Sequence, residues 1–368
     1  MYFLRYLCNR TLILRTANVC ISSRMNCDRH RPIELIEWVI IVLLSTVILH
    51  GCGSNPYQTF HGETMGTYFR VVGNCSPTLT QEFLETELEK LTAILSTYEP
   101  DSAVSIFNRT LTVGEWMSLD EVLVDVIDIA QQVSAQTNGA FDITVAPLVE
   151  IWGFGATEVI DRPPSDLIAG ALKRVNYKLL EIDESTRLVR KHADIQLDLS
   201  GIGKGYGVDH IAKKLLKQHD CSDFLVDIGG EIRVLGRNDA NKPWRIGIEA
   251  PDESGKVQAY VQLSDGAIAT SGSYRNYRIF DTVLYPHVID PRSGLPASHN
   301  LLAVTVYHET AAEADALATA LFVMGFDEAL EFAETHDTAI ALTTWDSEAE
   351  EKRVKYSTAM ELLMKSRN

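Results

Sequence analysis

Between Asp198 and Asp209 the chain reads Asp-Leu-Ser-Gly-Ile-Gly-Lys-Gly-Tyr-Gly-Val-Asp, with glycine at 201, 203, 205 and 207 and Lys204 among them. Glycines let a backbone approach a ligand closely and reach positive φ. A lysine in their midst offers a compact positive charge for phosphate. A helix follows with Val208, Ile211, Ala212 and Leu215 on one face, so its first N–H groups could meet an anion. The common glycine-loop patterns do not fit. Counted from Gly201, a dinucleotide fingerprint needs glycine where Tyr206 stands, and a P-loop needs Ser or Thr where Gly205 follows Lys204. The alternation is compatible with a phosphate cradle or with a tight strand-to-helix turn.

Other segments carry chemistry of their own. Asp315 and Thr319 stand four residues apart on a helix, one turn from each other on one face. A carboxylate and a hydroxyl so placed are hard oxygen donors suited to Mg²⁺. The alternative is a capping aspartate and a threonine bonded to its own helix. His287 precedes two prolines and a glycine in Tyr285–Pro296. A histidine on such a rigid element can be a general base near neutral pH, or a hydrogen-bonded turn residue. Phe141, Trp152 and Phe154 stand beside glycines and read either as a slot for a planar ring or as core anchors. Ala269–Tyr277 adds hydroxyls and a guanidinium, for ribose or phosphate, or as a polar turn.

Elements must position these groups. A strand is expected over Phe60–Val72, interrupted at Gly62–Thr67, and then a helix from Thr80 to Leu95. Ser118 and Glu121 form a capping-box pattern opening a helix that Asn138-Gly139 ends. Phe224–Ile228 and Glu231–Leu235 flank Gly229-Gly230 as a hairpin. Strands follow at 245–249, 257–263 and 302–307, then a helix from Ala311 to Met324 stopped by Gly325. Strands and helices cluster without regular alternation, which favours an α+β fold in a single compact catalytic unit, with mixed or antiparallel sheets and packed helices.

The first residues differ in kind. Arg24, Arg29 and Arg31 precede the apolar run Trp38–Leu49, and Leu49-His50-Gly51-Cys52 closes it. That order reads as a secretory signal over residues 1–51. Cys52 resembles the lipidated cysteine of a bacterial lipobox, followed by a tether over 52–59 and a domain over 60–368. An uncleaved signal anchor is the alternative. Residues 1–51 hold six arginines and three acids, so removing them takes the formal charge from −17 to about −20. Such an acidic chain disfavours nucleic acid as a partner. Past Cys52 only Cys75 and Cys221 remain, allowing one disulfide in an oxidising compartment.

In order along the chain run Gly62–Thr67 (GETMGT), Leu95–Ser102 (LSTYEPDS), Gly139–Pro147 (GAFDITVAP), Trp152–Gly155 (WGFG), Asp198–Asp209, Ser271–Tyr277 (SGSYRNY), His287–Pro291 (HVIDP) and Glu313–Thr319 (EADALAT). This series closely resembles the ApbE family of flavin transferases, FAD:protein FMN transferases that are often bacterial lipoproteins, over about residues 60 to 345. The resemblance implies a T-fold-like α+β enzyme that binds FAD and Mg²⁺. It would transfer FMN to a threonine or serine hydroxyl of a target protein, such as a membrane redox subunit, releasing AMP. By position, Met65, Tyr98, Ala140, Phe141, Asp142, Asp198, Lys204 and Ile289 match the family's FAD contacts. Gly201 through its carbonyl, Asp315 and Thr319 match its metal ligands, and His287 its base. Ala318 stands where some members carry a second acid, leaving the number of metal ions open. The implied location is the bacterial envelope, lipid-anchored and facing the periplasm. Two other readings keep the site: an FAD pyrophosphatase giving FMN and AMP, and a flavin-binding lipoprotein without catalysis.

Overall fold

The computed structural model describes residues 57–155, 159–252, 255–273, 276–346 and 350–365, all within a unit spanning Asn55–Asn368. The signal segment, Cys52 and most of the tether lie outside the described residues, as do Tyr274 and Arg275.

One sheet has eight strands, with apolar residues alternating in some and running continuously in the central ones: β1 (Gln58–Thr64), β2 (Thr67–Gly73), β3 (Phe224–Ile228), β4 (Glu231–Leu235), β5 (Asp265–Gly272), β6 (Leu301–His308), β7 (Ala339–Asp346) and β8 (Glu351–Tyr356). Each pairs antiparallel with the next in chain order. Period-two alternation sends successive side chains to opposite faces. On β7, Ile340 and Leu342 enter a core shared with the helices. Ala339 and Ala341 enter another, with Trp244, Ile246 and Met360. That second face is covered by the hairpin Trp244–Glu249/Val257–Leu263 and the helix Thr358–Lys365.

Four longer helices bear on the site: α1 (Gln81–Leu95), α2 (Glu121–Gln136), α3 (Gly203–Gln218) and α4 (Ala311–Thr335). α1 starts where Thr80 Oγ1 accepts the Phe83 N–H at 3.1 Å, and buries Leu84, Leu88, Leu91 and Leu95 at helical spacing. Each such leucine stabilises the fold by about 1.5–3 kcal/mol. α2 starts later than its capping-box pattern predicts. Asp120, not Ser118, is the cap, accepting from the Val122 N–H at 2.9 Å, where its charge also meets the positive helix end. The interruption expected at 62–67 is a tight turn, with φ of 49° at Met65 and 73° at Gly66 joining the paired Thr64 and Thr67. Gly325 does break α4, with φ 77° and ψ −177°, but the chain resumes helical geometry to Thr335 instead of stopping.

The alternating glycines do something other than the sequence suggests. None of Gly201, Gly203, Gly205 and Gly207 is among the positive-φ residues, and the last three lie inside α3. Three of them serve close approach between packed elements, whereas a Cβ on Gly203 would meet nothing within 4 Å. A Cβ on Gly205 would stand 2.2 Å from the Ala311 carbonyl oxygen and 2.8 Å from Asp315 Cβ, both on α4. Gly205→Ala is therefore expected to push α3 from α4 and lower stability by about 1–3 kcal/mol, read as a shifted urea midpoint at unchanged slope. An unshifted midpoint would refute this packing role. Cys75 and Cys221 form the disulfide that the sequence allows.

Candidate active site

The segments inserted between strands converge on a cleft of about 370 Å³. α3 presents Lys204 from its first turn, the second and third turns of α4 present Asp315 and Thr319, and the end of β5 presents Thr270, Ser271 and Gly272. α4 is held at its start by Asp209, whose carboxylate accepts the Ala311 N–H at 3.1 Å and the Ala312 N–H at 2.9 Å. Asp209 closes the glycine stretch, so one segment sets both helices.

Of the site residues read from sequence, Tyr98, Ala140, Phe141, Asp142, Asp198, Gly201, Lys204, His287, Ile289, Asp315 and Thr319 all line this cleft. Met65 does not. It sits in the β1–β2 turn, lining a separate groove with Glu85, Leu88 and Thr92, and its methyl faces Gly207. The turn's local pairing sets this position, and a motif match alone could not reveal it.

Asp315, buried at the base of the cleft, accepts the Gly205 N–H on Oδ2 at 3.0 Å. The capping alternative is thus realised across helices, and Oδ1 has no hydrogen bond among the described residues. Burial pushes the Asp315 carboxyl up, opposed by Lys204 and by the Gly205 N–H. Thr319 Oγ1 lies 3.0 Å from Ser271 Oγ, not on its own helix backbone. A Cβ added to Gly201 would stand 3.1 Å from Thr319 Oγ1, so Gly201 and the threonine hydroxyl meet. A carboxylate and a hydroxyl one helical turn apart, with the Gly201 backbone beside the hydroxyl, fit a hard cation that keeps several waters. Among the described residues no cluster of three or more His, Cys, Asp or Glu is placed to hold a metal. This mixed oxygen set differs from such a cluster.

Lys204 Nζ lies 3.6 Å from Glu231 Oε1. Burial disfavours the ammonium, but Asp315 and Glu231 outweigh it and hold its pKa above the usual lysine value. Glu231 escaped the sequence reading, where it was only the first residue of a hairpin strand. A signal existed: it stands opposite Ile228 in the β3–β4 pairing, on a side where an apolar residue is expected.

His287 donates its backbone N–H to the Asn276 carbonyl at 3.2 Å, and its Nδ1 lies 3.0 Å from the same oxygen. A carbonyl only accepts, so Nδ1 carries the proton and Nε2 of the neutral ring remains a base. Burial lowers the imidazole pKa and Lys204 adds to this, while the Asn276 carbonyl opposes. The ring meets Phe154 edge-on at 6.4 Å.

The aromatics divide between both readings. Phe141 and Phe154 line the cleft, whereas Trp152 is a core anchor whose indole N–H donates to the Gly294 carbonyl at 2.9 Å. Tyr98 stands at the rim, 65% exposed, its hydroxyl 3.4 Å from the Phe154 carbonyl. The Asp142 carboxylate is already engaged by the Thr144 N–H and hydroxyl at 2.8 and 2.7 Å and by the Tyr177 N–H at 2.7 Å. Its side chain shapes the loop carrying Ala140 and Phe141. Asp198 turns its carboxylate to the Ser200 N–H at 2.8 Å.

The model of the ApbE family matches residues 65–343. The chain belongs to the ApbE family. Among curated ApbE relatives, the FAD:protein FMN transferase of Klebsiella pneumoniae (strain 342) is 36% identical over 324 residues, covering 83% of this chain and 92% of its own. That of Escherichia coli (strain K12) is 35% identical over 328 residues, covering 84% and 93%. Of solved ApbE structures, the flavin transferase from Vibrio cholerae superposes with a TM-score of 0.74 at 32% identity, covering 83% of this chain and 99% of its own. The apo flavinyl transferase of Pseudomonas stutzeri gives 0.75 at 34%, covering 84% and 97%.

Proposed function

We propose that this chain is an Mg²⁺-dependent FAD:protein FMN transferase. It moves the FMN half of FAD to a threonine or serine hydroxyl of a target protein through a phosphoester bond and releases AMP. The observation that carries the reading is one cleft gathering the His287 imidazole, the Lys204 ammonium and the oxygen groups of Gly201, Asp315 and Thr319. The names of the relatives support a flavin dinucleotide donor and a protein acceptor.

In the reaction the acceptor oxygen attacks the phosphorus on the FMN side of the pyrophosphate. A new P–O ester bond forms, the bond to the bridging oxygen breaks, and AMP leaves with that oxygen. An alcohol is a weak nucleophile at neutral pH, so His287 Nε2 takes its proton. Asn276 fixes the ring through Nδ1. Lys204 sets a positive charge beside the phosphates, and Phe141 and Phe154 offer flat surfaces to an aromatic ring. A divalent cation held by Gly201, Asp315 and Thr319 would supply charge neutralisation at the pyrophosphate oxygens.

The reading extends to location. Residues 1–51 act as an export signal, Cys52 carries the lipid, and the domain faces the periplasm, where membrane redox subunits are natural acceptors. The Cys75–Cys221 disulfide supports an oxidising compartment. The test is incubation with FAD, Mg²⁺ and candidate membrane redox subunits, followed by mass spectrometry. Covalent FMN on a Thr or Ser is expected. Free FMN alone would mean a pyrophosphatase, and no FAD turnover would mean a flavin binder.

A further inference from the structure

Three titratable groups line the cleft together: the Lys204 amine and the carboxyls of Asp315 and Glu231. Burial pushes the Glu231 carboxyl up, and the Lys204 ammonium beside it pulls it back toward the ionised form. The ammonium sits on a flexible four-carbon stem and feels both carboxylates. It takes Glu231, at 3.6 Å, and among the described residues it forms no ion pair with Asp315 within 4.0 Å.

Glu231 is itself fixed. It follows a turn in which Gly229 and Gly230 have φ of 64° and 105°. The Gly229 N–H donates to the Tyr68 carbonyl and the Gly230 N–H to Asp227 Oδ1, each at 3.0 Å. Glu231 is 4% exposed, and its Oε2 is buried with no hydrogen-bond partner among the described residues. A carboxylate oxygen left so is costly. Fold stability does not account for its presence, because an apolar residue would pack there more cheaply.

We propose that Glu231 is a positioning residue that holds the Lys204 ammonium away from Asp315 and so leaves Asp315 open to a divalent cation. Without Glu231 the ammonium has Asp315 as its remaining buried counter-charge and settles on it. A cation must then displace an ion pair formed in a low-dielectric site, where such pairs are strong. With Glu231 present, ammonium and cation occupy separate oxygens and both can face a pyrophosphate. The inference rests on the metal reading of Asp315 and Thr319 given under Proposed function.

The experiment is titration of the full-length protein in detergent with Mn²⁺ alone, free Mn²⁺ being read by electron paramagnetic resonance, with thermal melts to verify folding. Glu231→Gln is expected to weaken Mn²⁺ binding by about 10-fold or more, the range for residues that orient a metal's ligands. Adding Lys204→Met to Glu231→Gln should restore binding to near the wild-type value, because nothing then competes for Asp315. Glu231→Asp, which withdraws the carboxylate from Lys204, is measured alongside and should shift the same way, with the same rescue; it decides the matter if Glu231→Gln does not fold. Undiminished Mn²⁺ binding in the Glu231 variants would overturn the proposal. So would a double variant that stays weak, since Glu231 would then be a ligand itself. A wild-type protein that fails to bind Mn²⁺ would sink the metal reading, and this inference with it.

Discussion

On the metal reading proposed above, Asp315→Asn is expected to lower FMN transfer by about 10³-fold or more while leaving the fold intact. The amide has the shape of the carboxylate, and its carbonyl can still accept the Gly205 N–H that Asp315 Oδ2 accepts at 3.0 Å. What it lacks is the negative charge needed to hold a hard cation beside Thr319. Metal neutralisation of a phosphoryl group is worth several kcal/mol, and each 1.36 kcal/mol is tenfold in rate. Stability moves the other way. Burial raises the Asp315 pKa above its ordinary value. The ionised form is therefore disfavoured by folding, and its contribution turns unfavourable as pH rises through the unfolded-state value. Removing the charge should leave the melting temperature unchanged or higher at neutral pH. Rates of FMN adduct formation by mass spectrometry, with calorimetric melts of the same samples, test both halves. A variant keeping a tenth of the wild-type rate would remove Asp315 from the metal site.

His287→Gln is expected to reduce transfer by about 10²- to 10⁴-fold, the span usual for a general base, with FAD affinity changed little. The pH profile separates a base from a structural residue. Burial, then Lys204, lower the imidazole pKa from its ordinary 6.5. The neutral ring thus persists to more acidic pH than in a free histidine. Transfer should be flat from neutral pH upward and fall only on the acid side, below the ordinary histidine range. In His287→Gln that acid limb should vanish with the lost rate. FAD affinity from flavin fluorescence and rates across pH 5 to 8 check this; an acid limb surviving in the variant belongs to another group.

Much of the molecule was legible because it is local. The β3–β4 hairpin follows from alternation around Gly229-Gly230. Asp315 and Thr319 share a helix face by spacing alone, and His287 could be weighed as a base from its rigid turn. What escaped depends on partners far along the chain. Gly205 is glycine because α4, over a hundred residues later, passes 2.2 Å from where its Cβ would be; no local pattern separates that from a phosphate loop. Glu231 gains meaning only when α3 brings Lys204 to it. The Asp142 carboxylate, which lines the cleft, also accepts from Thr144 and from the distant Tyr177, a partner no local pattern shows. Ser118 lost the cap of α2 to Asp120 because two acceptable caps stood two residues apart.

The Cys75–Cys221 bond has a consequence for assembly. Gly73 pairs with Phe224 across β2 and β3, so the bond clasps the neck of the long excursion between those strands and turns it into a covalent ring, 146 residues apart at its ends. In the chain-entropy account, tying such a ring removes about 5 kcal/mol of freedom from the unfolded chain. Tyr98, Asp198, Gly201 and Lys204 ride on the ring, while Glu231, His287, Asp315 and Thr319 lie outside it. Oxidation thus ties the segment carrying one half of the cleft to the ends of β2 and β3 in the sheet that carries Glu231. A protease nick at Ile160, 85% exposed on the ring, would leave one covalent molecule under oxidising conditions and two fragments under reducing ones.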